Sequence, residues 1–279
     1  MEWQGEGTAI TRRRHGEHAV ILTALTRELG LISGVVPGGA SVKRAAVLQP
    51  GNRLSLRWRA RLHDQLGSFT VEPGRTRAGL MADADALAGL NAVTALIAWA
   101  LPERDPHPRL VEATEGLLDA MEGGSGGGAY GAVGAGGPSA PRAPRGYFHE
   151  EEPRPLAWAE DYLRWELLLL DELGFGLSLD RCSVSGARDG LMYVSPRTGH
   201  AVTAKAAGEW AARLLPLPGI LGGPEAEGEL AAGFALSGHF LAARLAEAQV
   251  GRPVPAARAR LVARLTAGRK QEDRPEGRP

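Results

Sequence analysis

The chain contains a single cysteine, Cys182, among 279 residues, so no internal disulfide can form and no multi-thiolate metal site can be assembled. Long apolar runs are missing too. No stretch of about 18 or more uncharged apolar residues occurs, and the opening MEWQGEGTAITRRR lacks the apolar core of a secretory leader. A cytoplasmic protein in a reducing compartment, without membrane attachment, is expected. Catalytic signatures are also absent. There is no Gly-x-x-x-x-Gly-Lys-Ser/Thr phosphate loop, the segment Gly199-His-Ala-Val-Thr-Ala-Lys205 lacks the second glycine, and no Gly-x-Ser-x-Gly elbow appears. The run Glu150-Glu151-Glu152 beside His149 reads as a solvated charge run rather than an acid/base pair. A non-enzymatic protein without cofactors is the expectation.

An overall charge of either sign is lacking as well, since 32 Lys and Arg balance 32 Asp and Glu. Their distribution is uneven, however. Residues 1–80 carry a net +6, residues 81–251 a net −11, and residues 252–279 a net +5. Basic ends suited to a polyanion therefore flank an acidic middle.

What is present begins with short extended segments. Strands are predicted at Thr8–Arg14, Ala19–Thr26, Leu31–Val36, Leu54–Leu62 and Ser68–Glu72, punctuated by Pro37-Gly38-Gly39 and Leu66-Gly67. The fourth is the clearest: Leu54, Leu56, Trp58, Ala60 and Leu62 alternate with Ser55, Arg57, Arg59 and Arg61, so one face is apolar and the other carries three guanidiniums. Five short strands in about 70 residues suit a small closed barrel of the OB type. Trp58 and Phe69 fall on the inward face.

After Pro73-Gly74 the pattern turns helical. Asp83 caps a predicted helix to about Leu101, and a second runs from Arg109 to Met121. Nine glycines within Gly123–Gly137 open a segment to about residue 150 expected to be flexible. A strongly amphipathic helix follows at Trp158–Leu173, closed by Gly174. Residues 177–203 form a compact turn-rich lobe, then helices are predicted at Ala204–Leu214 and Leu230–Ala248. Beyond Pro255, AARARLVARL is read as one or two basic amphipathic turns, and the tail after it as frayed. The expected class is α+β, with domains at residues 1–78 and 79–279.

Candidate nucleic-acid contacts are Arg12, Arg13 and Arg14 at the end of the first strand, Lys43 and Arg44 in the loop, and Arg57, Arg59 and Arg61 on the fourth strand. Cations in a groove bind phosphates by releasing condensed counterions. With few free aromatics in the barrel, affinity is expected to rest on charge more than on base stacking. Arg27 is read as structural, with Glu28 as a possible partner. An adaptor that binds protein through the same barrel is the competing reading.

Two blocks, TRELGLISGVVPGGASVKRAAVLQPGNRL and YLRWELLLLDELGFGLSLDRCSVSG, together with PVPAARARLV near the end, resemble the RecO family. The resemblance implies an N-terminal OB-fold, a helical domain and a small zinc-finger-like lobe. It also implies a DNA repair and recombination mediator without a catalytic site, located in the cytoplasm at the bacterial nucleoid. Such proteins bind single- and double-stranded DNA, promote annealing, contact the C-terminal tail of the single-strand-binding protein, and act with RecR to load RecA. Some members hold zinc with four cysteines in the lobe; here Cys182 keeps the first position, Ser185 stands at the second, and no later cysteine exists. No bound metal is expected. An acidic, apolar tail calls for an apolar pocket with basic rim residues, and Arg244, Arg258, Arg260 and Arg264 are the candidates.

Overall fold

The computed structural model describes residues 1–61, 66–123 and 158–267. Strands β1 (Glu2–His15), β2 (Ala19–Thr26), β3 (Gly30–Val36), β4 (Arg53–Arg59) and β5 (Gly67–Pro73) come first, with a short helix α1 (Val42–Val47) between β3 and β4. They close into a barrel in the order β1-β2-β3-β5-β4, where β3 and β5 make the one parallel contact. This is the OB-fold that the strand pattern predicts.

β1 is twice the length expected, because it serves two partners. Residues 2–8 pair with β4 and residues 7–15 with β2, and an irregularity between Ala9 and Thr11 lets the strand turn from one to the other. Its early half is hard to read in the sequence because of Gly5 and Gly7. Both leave room for close packing: a Cβ on Gly5 would stand 2.4 Å from the Trp3 ring. The alternation of β4 is realised, with Leu54, Leu56 and Trp58 buried and Arg53, Arg57 and Arg59 outside. The strand stops at Arg59 rather than at Leu62, since its partner runs out: Arg59 pairs with Glu2, and Ala60 N–H donates to the Met1 carbonyl. Arg61 lies just past the strand end, and Leu62 is outside the described residues.

The segment predicted as a loop after Pro37 contains α1, whose N-cap Ser41 accepts from Arg44 N–H. Asn52 Nδ2 donates to the Ala46 and Val47 carbonyls, satisfying the end of α1, while Leu48 is buried beneath it. Trp58 fills the barrel, its Nε1 donating to the Ser33 carbonyl.

The second half consists of α2 (Ala84–Ala100), α3 (Pro108–Gly123), α4 (Trp158–Glu172), β6 (Leu191–Val194), β7 (Ala201–Thr203), α5 (Ala204–Ala207), β8 (Leu215–Pro216), α6 (Glu229–Phe240) and α7 (Ala256–Ala267). Asp83 caps α2 by accepting from Asp85 and Ala86 N–H, as expected. The helix predicted at Ala204–Leu214 is only one turn, because Gly208 at φ 47° and ψ −130° leaves helical space; tighter turns follow over Gly208–Arg213. Past Phe240, α6 continues as wider π-type turns over Leu241–Val250. The basic segment after Pro255 is a full helix of 12 residues rather than one or two turns. Leu261 and Leu265, one turn apart, are buried, and α7 packs on α2. The glycine-rich segment, beyond Gly123, and the tail after Ala267 fall outside the described residues. No helix among the described residues is long and apolar enough to cross a membrane.

Two apolar clusters result, one inside the barrel and one among the helices. Ile10, Leu25 and Leu31 leave the barrel's outer face to join the helical cluster. That seam fixes which part of the barrel surface stays open.

Candidate nucleic-acid interface

Antiparallel partners share a face of the sheet, so the strand register assigns each expected cation to a side. Arg12 and Arg14 stand opposite Leu22 and Val20, on the inward side where β1 runs past the barrel mouth. Arg12 Nη1 donates to the Ala45 carbonyl of α1 at 3.0 Å, which places it beside the helix that carries Lys43 and Arg44. Ala40 N–H, in turn, donates to the His18 carbonyl and ties the start of that loop to the β1–β2 turn. Arg12, Arg13, Arg14, Lys43 and Arg44 are all exposed, and none forms a salt bridge among the described residues. Glu17, at the turn itself, lies against His18. The cations at this corner of the barrel are therefore available to an incoming anion.

Arg13 occupies a different side. A circumferential row of partners runs Arg13, Ile21, Val35, Ser68, Arg59 and back to Glu2. Four inter-strand steps of about 4.8 Å separate Arg13 from Arg59, an arc of roughly 19 Å. The arginines of β4 thus form a second bank across the outer surface of β2, β3 and β5. This bank is less free. Arg59 pairs with Glu2 at 2.8 Å, and Arg57 Nη2 donates to Gln4 Oε1 at 3.3 Å. Both members of the Arg59–Glu2 pair are more than half exposed, so the pair contributes little and phosphate can displace it. Arg61 forms no salt bridge among the described residues. The sequence gives no hint of the glutamate opposite Arg59, since cross-strand neighbours 57 residues apart have no local signal.

The acidic middle of the chain has a defined use. Glu112, Glu115, Asp119 and Glu122 lie along one face of α3 and meet a separate set of barrel cations. Arg27 pairs with Glu112, not with Glu28; Arg53 with Glu6 and Glu115; Arg75 with Asp119 and Glu122; Arg77 with Glu115 and Asp119. Arg77 is the centre of the seam. Its side chain is buried, Nη1 also donates to the Gly51 carbonyl, and its N–H donates to Asn52 Oδ1. Burial opposes ionisation of Asp119, yet Arg77 and Arg75 hold its carboxyl below the usual carboxylate range. The loop between α2 and α3 adds a clamp: Arg104 N–H donates to the Leu31 carbonyl, and its guanidinium lies 5.3 Å from the Trp58 ring centroid. The acidic helix consequently neutralises Arg27, Arg53, Arg75 and Arg77, and leaves the expected DNA-facing cations alone.

The four partner-rim candidates separate. Arg244 and Arg260 are exposed without a salt bridge among the described residues, and Arg264 pairs with Asp85 at 2.7 Å. Arg258 does not take the rim position expected of it. It is held inside, Nε and Nη2 donating to the two oxygens of fully buried Glu166 at 2.7 and 2.8 Å, so it cannot serve as a rim residue. The sequence conceals this because Glu166 is 92 residues away and lies on the otherwise apolar face of α4. In the lobe, Cys182 is buried and accepts from Thr203 N–H at 3.5 Å. The lobe does not fit zinc: no group of three or more His, Cys, Asp or Glu residues among the described residues is placed to hold a metal ion.

Barrel, acidic seam and open cations define an OB-fold protein with a helical body packed on one side of its barrel. Residues 1–76 match the family described as Recombination protein O N terminal, and residues 150–252 that described as Recombination protein O C terminal. A DNA repair protein RecO of Paracoccus denitrificans is 60% identical over 269 residues, covering 96% of this chain and 98% of that one. The DNA repair protein RecO of Roseobacter denitrificans is 47% identical over 267 residues, covering 94% and 97%. The chain belongs to the RecO family of DNA repair proteins.

Proposed function

We propose that the protein is a non-catalytic mediator that holds single- and double-stranded DNA on its barrel. In this reading residues 1–78 act as the DNA-binding domain, and residues 79–279 as a platform for partners in the cytoplasm, at the nucleoid. The observation that carries it is that Arg12, Arg14, Lys43 and Arg44 at one corner of the barrel, and Arg13 on the adjoining outer face, are exposed and left unneutralised while the acidic face of α3 is engaged by other arginines. Arg57, Arg59 and Arg61 form the opposite bank. A strand lying between the banks passes over Val35 and Ser68, with Ile21 buried beneath that path, and none of the three offers a ring for stacking, so binding is led by phosphate contacts and is indifferent to sequence. Two strands whose charge is neutralised together can anneal. RecR, and the C-terminal tail of the single-strand-binding protein, engage the helical portion, where Arg244 and Arg260 remain open to an acidic partner, and the assembly promotes RecA loading.

The test is oligonucleotide binding across a salt series. Changing Arg12, Arg13, Arg14, Lys43 and Arg44 together to Ala should flatten the log-log salt slope for single strands by up to about 3.5, at about 0.7 per cation. The Arg57, Arg59 and Arg61 triple variant should flatten it by less, because Glu2 already offsets Arg59. An unchanged slope in the five-fold variant would favour the protein-binding adaptor instead.

A further inference from the structure

The lobe carries a feature that the barrel reading does not use. Among the described residues Trp210 is the one tryptophan or phenylalanine that is largely exposed, at 59%. Aromatic rings of that size usually bury themselves. Trp210 stands instead in the tight turns before β8, with the Arg213 guanidinium 5.1 Å from its ring centroid. β8 pairs antiparallel with β6, Val194 opposite Leu215, so extended Leu214 follows on toward Ser195 at the start of the β6–β7 turn, and Arg213 is the residue immediately before it. Arg197 lies exposed in that turn. Neither arginine forms a salt bridge among the described residues. Residues 177–214 hold five Lys or Arg and three Asp or Glu, inside a region whose balance is otherwise acidic.

We infer that Trp210, Arg213 and Arg197 form a second contact for single-stranded nucleic acid, in which a base stacks on the open face of the indole and the two guanidiniums take flanking phosphates. An exposed ring beside unpaired cations is the arrangement by which sequence-tolerant single-strand binding works, because every base offers a π-face. Arg213 on one face holds the ring in place and makes it more attractive to an anionic strand. Protein hot spots also use Trp and Arg, but they sit in enclosed, desolvated pockets, whereas this ring stands largely exposed in the tight turns before β8. Glu209 is the one carboxylate adjacent in the chain. The inference rests on the proposed DNA-binding function, and adds the base stacking that the barrel lacks.

The experiment measures anisotropy of a fluorescein-labelled oligothymidylate of about 30 nucleotides with the full chain and its variants. Trp210→Ala should weaken binding about tenfold with little change in salt slope, because a neutral stack is lost. Trp210→Phe should keep most of the affinity. The Arg197→Ala/Arg213→Ala pair should flatten the slope by about 1.4. If the unsubstituted protein binds but Trp210→Ala binds equally well, the platform is refuted while the barrel function stands. If that variant keeps its DNA affinity and loses RecR or the single-strand-binding protein, the patch belongs to protein and the inference falls. No binding by the unsubstituted protein would overturn both readings.

Discussion

Replacing Arg258 by Met tests the interior of the helical body most sharply. Arg258 makes four hydrogen bonds: two to the Glu166 carboxylate, one to the Phe234 carbonyl at 2.9 Å and one to Ser237 Oγ at 3.1 Å. Glu166 is wholly buried, and once Arg258 is gone the Ser237 hydroxyl, at 2.7 Å, still donates to it but supplies no opposite charge. An uncompensated buried charge of this kind costs about 3–5 kcal/mol, a large part of the 5–15 kcal/mol that typically holds a folded protein together. At about 2–4 °C per kcal/mol for a chain of this size, the melting temperature should fall by roughly 10 °C. The companion variant removes both partners, as Glu166→Leu/Arg258→Met. It should be less destabilised than Arg258→Met alone, since desolvation of the carboxylate disappears together with its attraction to the guanidinium. Thermal unfolding followed by circular dichroism, with the single Glu166→Leu variant completing the cycle, measures each term. A cost below about 1 kcal/mol for Arg258→Met, or a double variant worse than both singles, would refute the assignment of this pair as a buried, mutually dependent charge couple.

Three further outcomes are expected. Gly30→Ala places a methyl 2.0 Å from the Asp105 carbonyl oxygen at a backbone φ of 65°; it should cost at least about 2 kcal/mol in thermal unfolding and loosen the seam between barrel and helices. Asp83→Ala removes the two cap hydrogen bonds of α2 and should cost about 1 kcal/mol by the same measurement. Burial pushes the Cys182 thiol up, but hydrogen bonds from Ser185, Thr203 and Val184 outweigh it and bring the thiol from 9.0 down to about 6. Thiolate absorbance near 240 nm should therefore titrate around pH 6, and a midpoint above 8 would show that those bonds do not form. Because the folded value is the lower one, the contribution to stability is full above the unfolded value of 9.0 and is lost as pH falls through 6.

Local pattern was enough for much of the architecture. The alternation of Leu54, Leu56 and Trp58 with arginines placed β4 and its inward face, and the Asp83 cap and Gly174 stop marked α2 and α4, because these signals depend on neighbours within one turn or one strand. The two family-like blocks carried the resemblance to RecO. Local pattern was not enough where a partner distant in the chain decided the outcome. The first half of β1 is a strand only because β4 lies beside it, and α7 is a full helix because α2 covers Leu261 and Leu265.

By itself, then, the sequence determined an OB barrel ahead of a helical body, the uneven distribution of charge, the absence of a metal-ligand set around Cys182, and a family membership. Tertiary structure alone decided which cations remain open. Arg77 and Arg258 look no different from Arg13 or Arg260 in the chain, yet the first two are buried against carboxylates 38 to 92 residues away and the others face water. The reason is that the availability of a charge depends on which opposite charges the fold brings within a few ångströms, and Coulomb attraction in a partly desolvated seam takes no account of sequence separation.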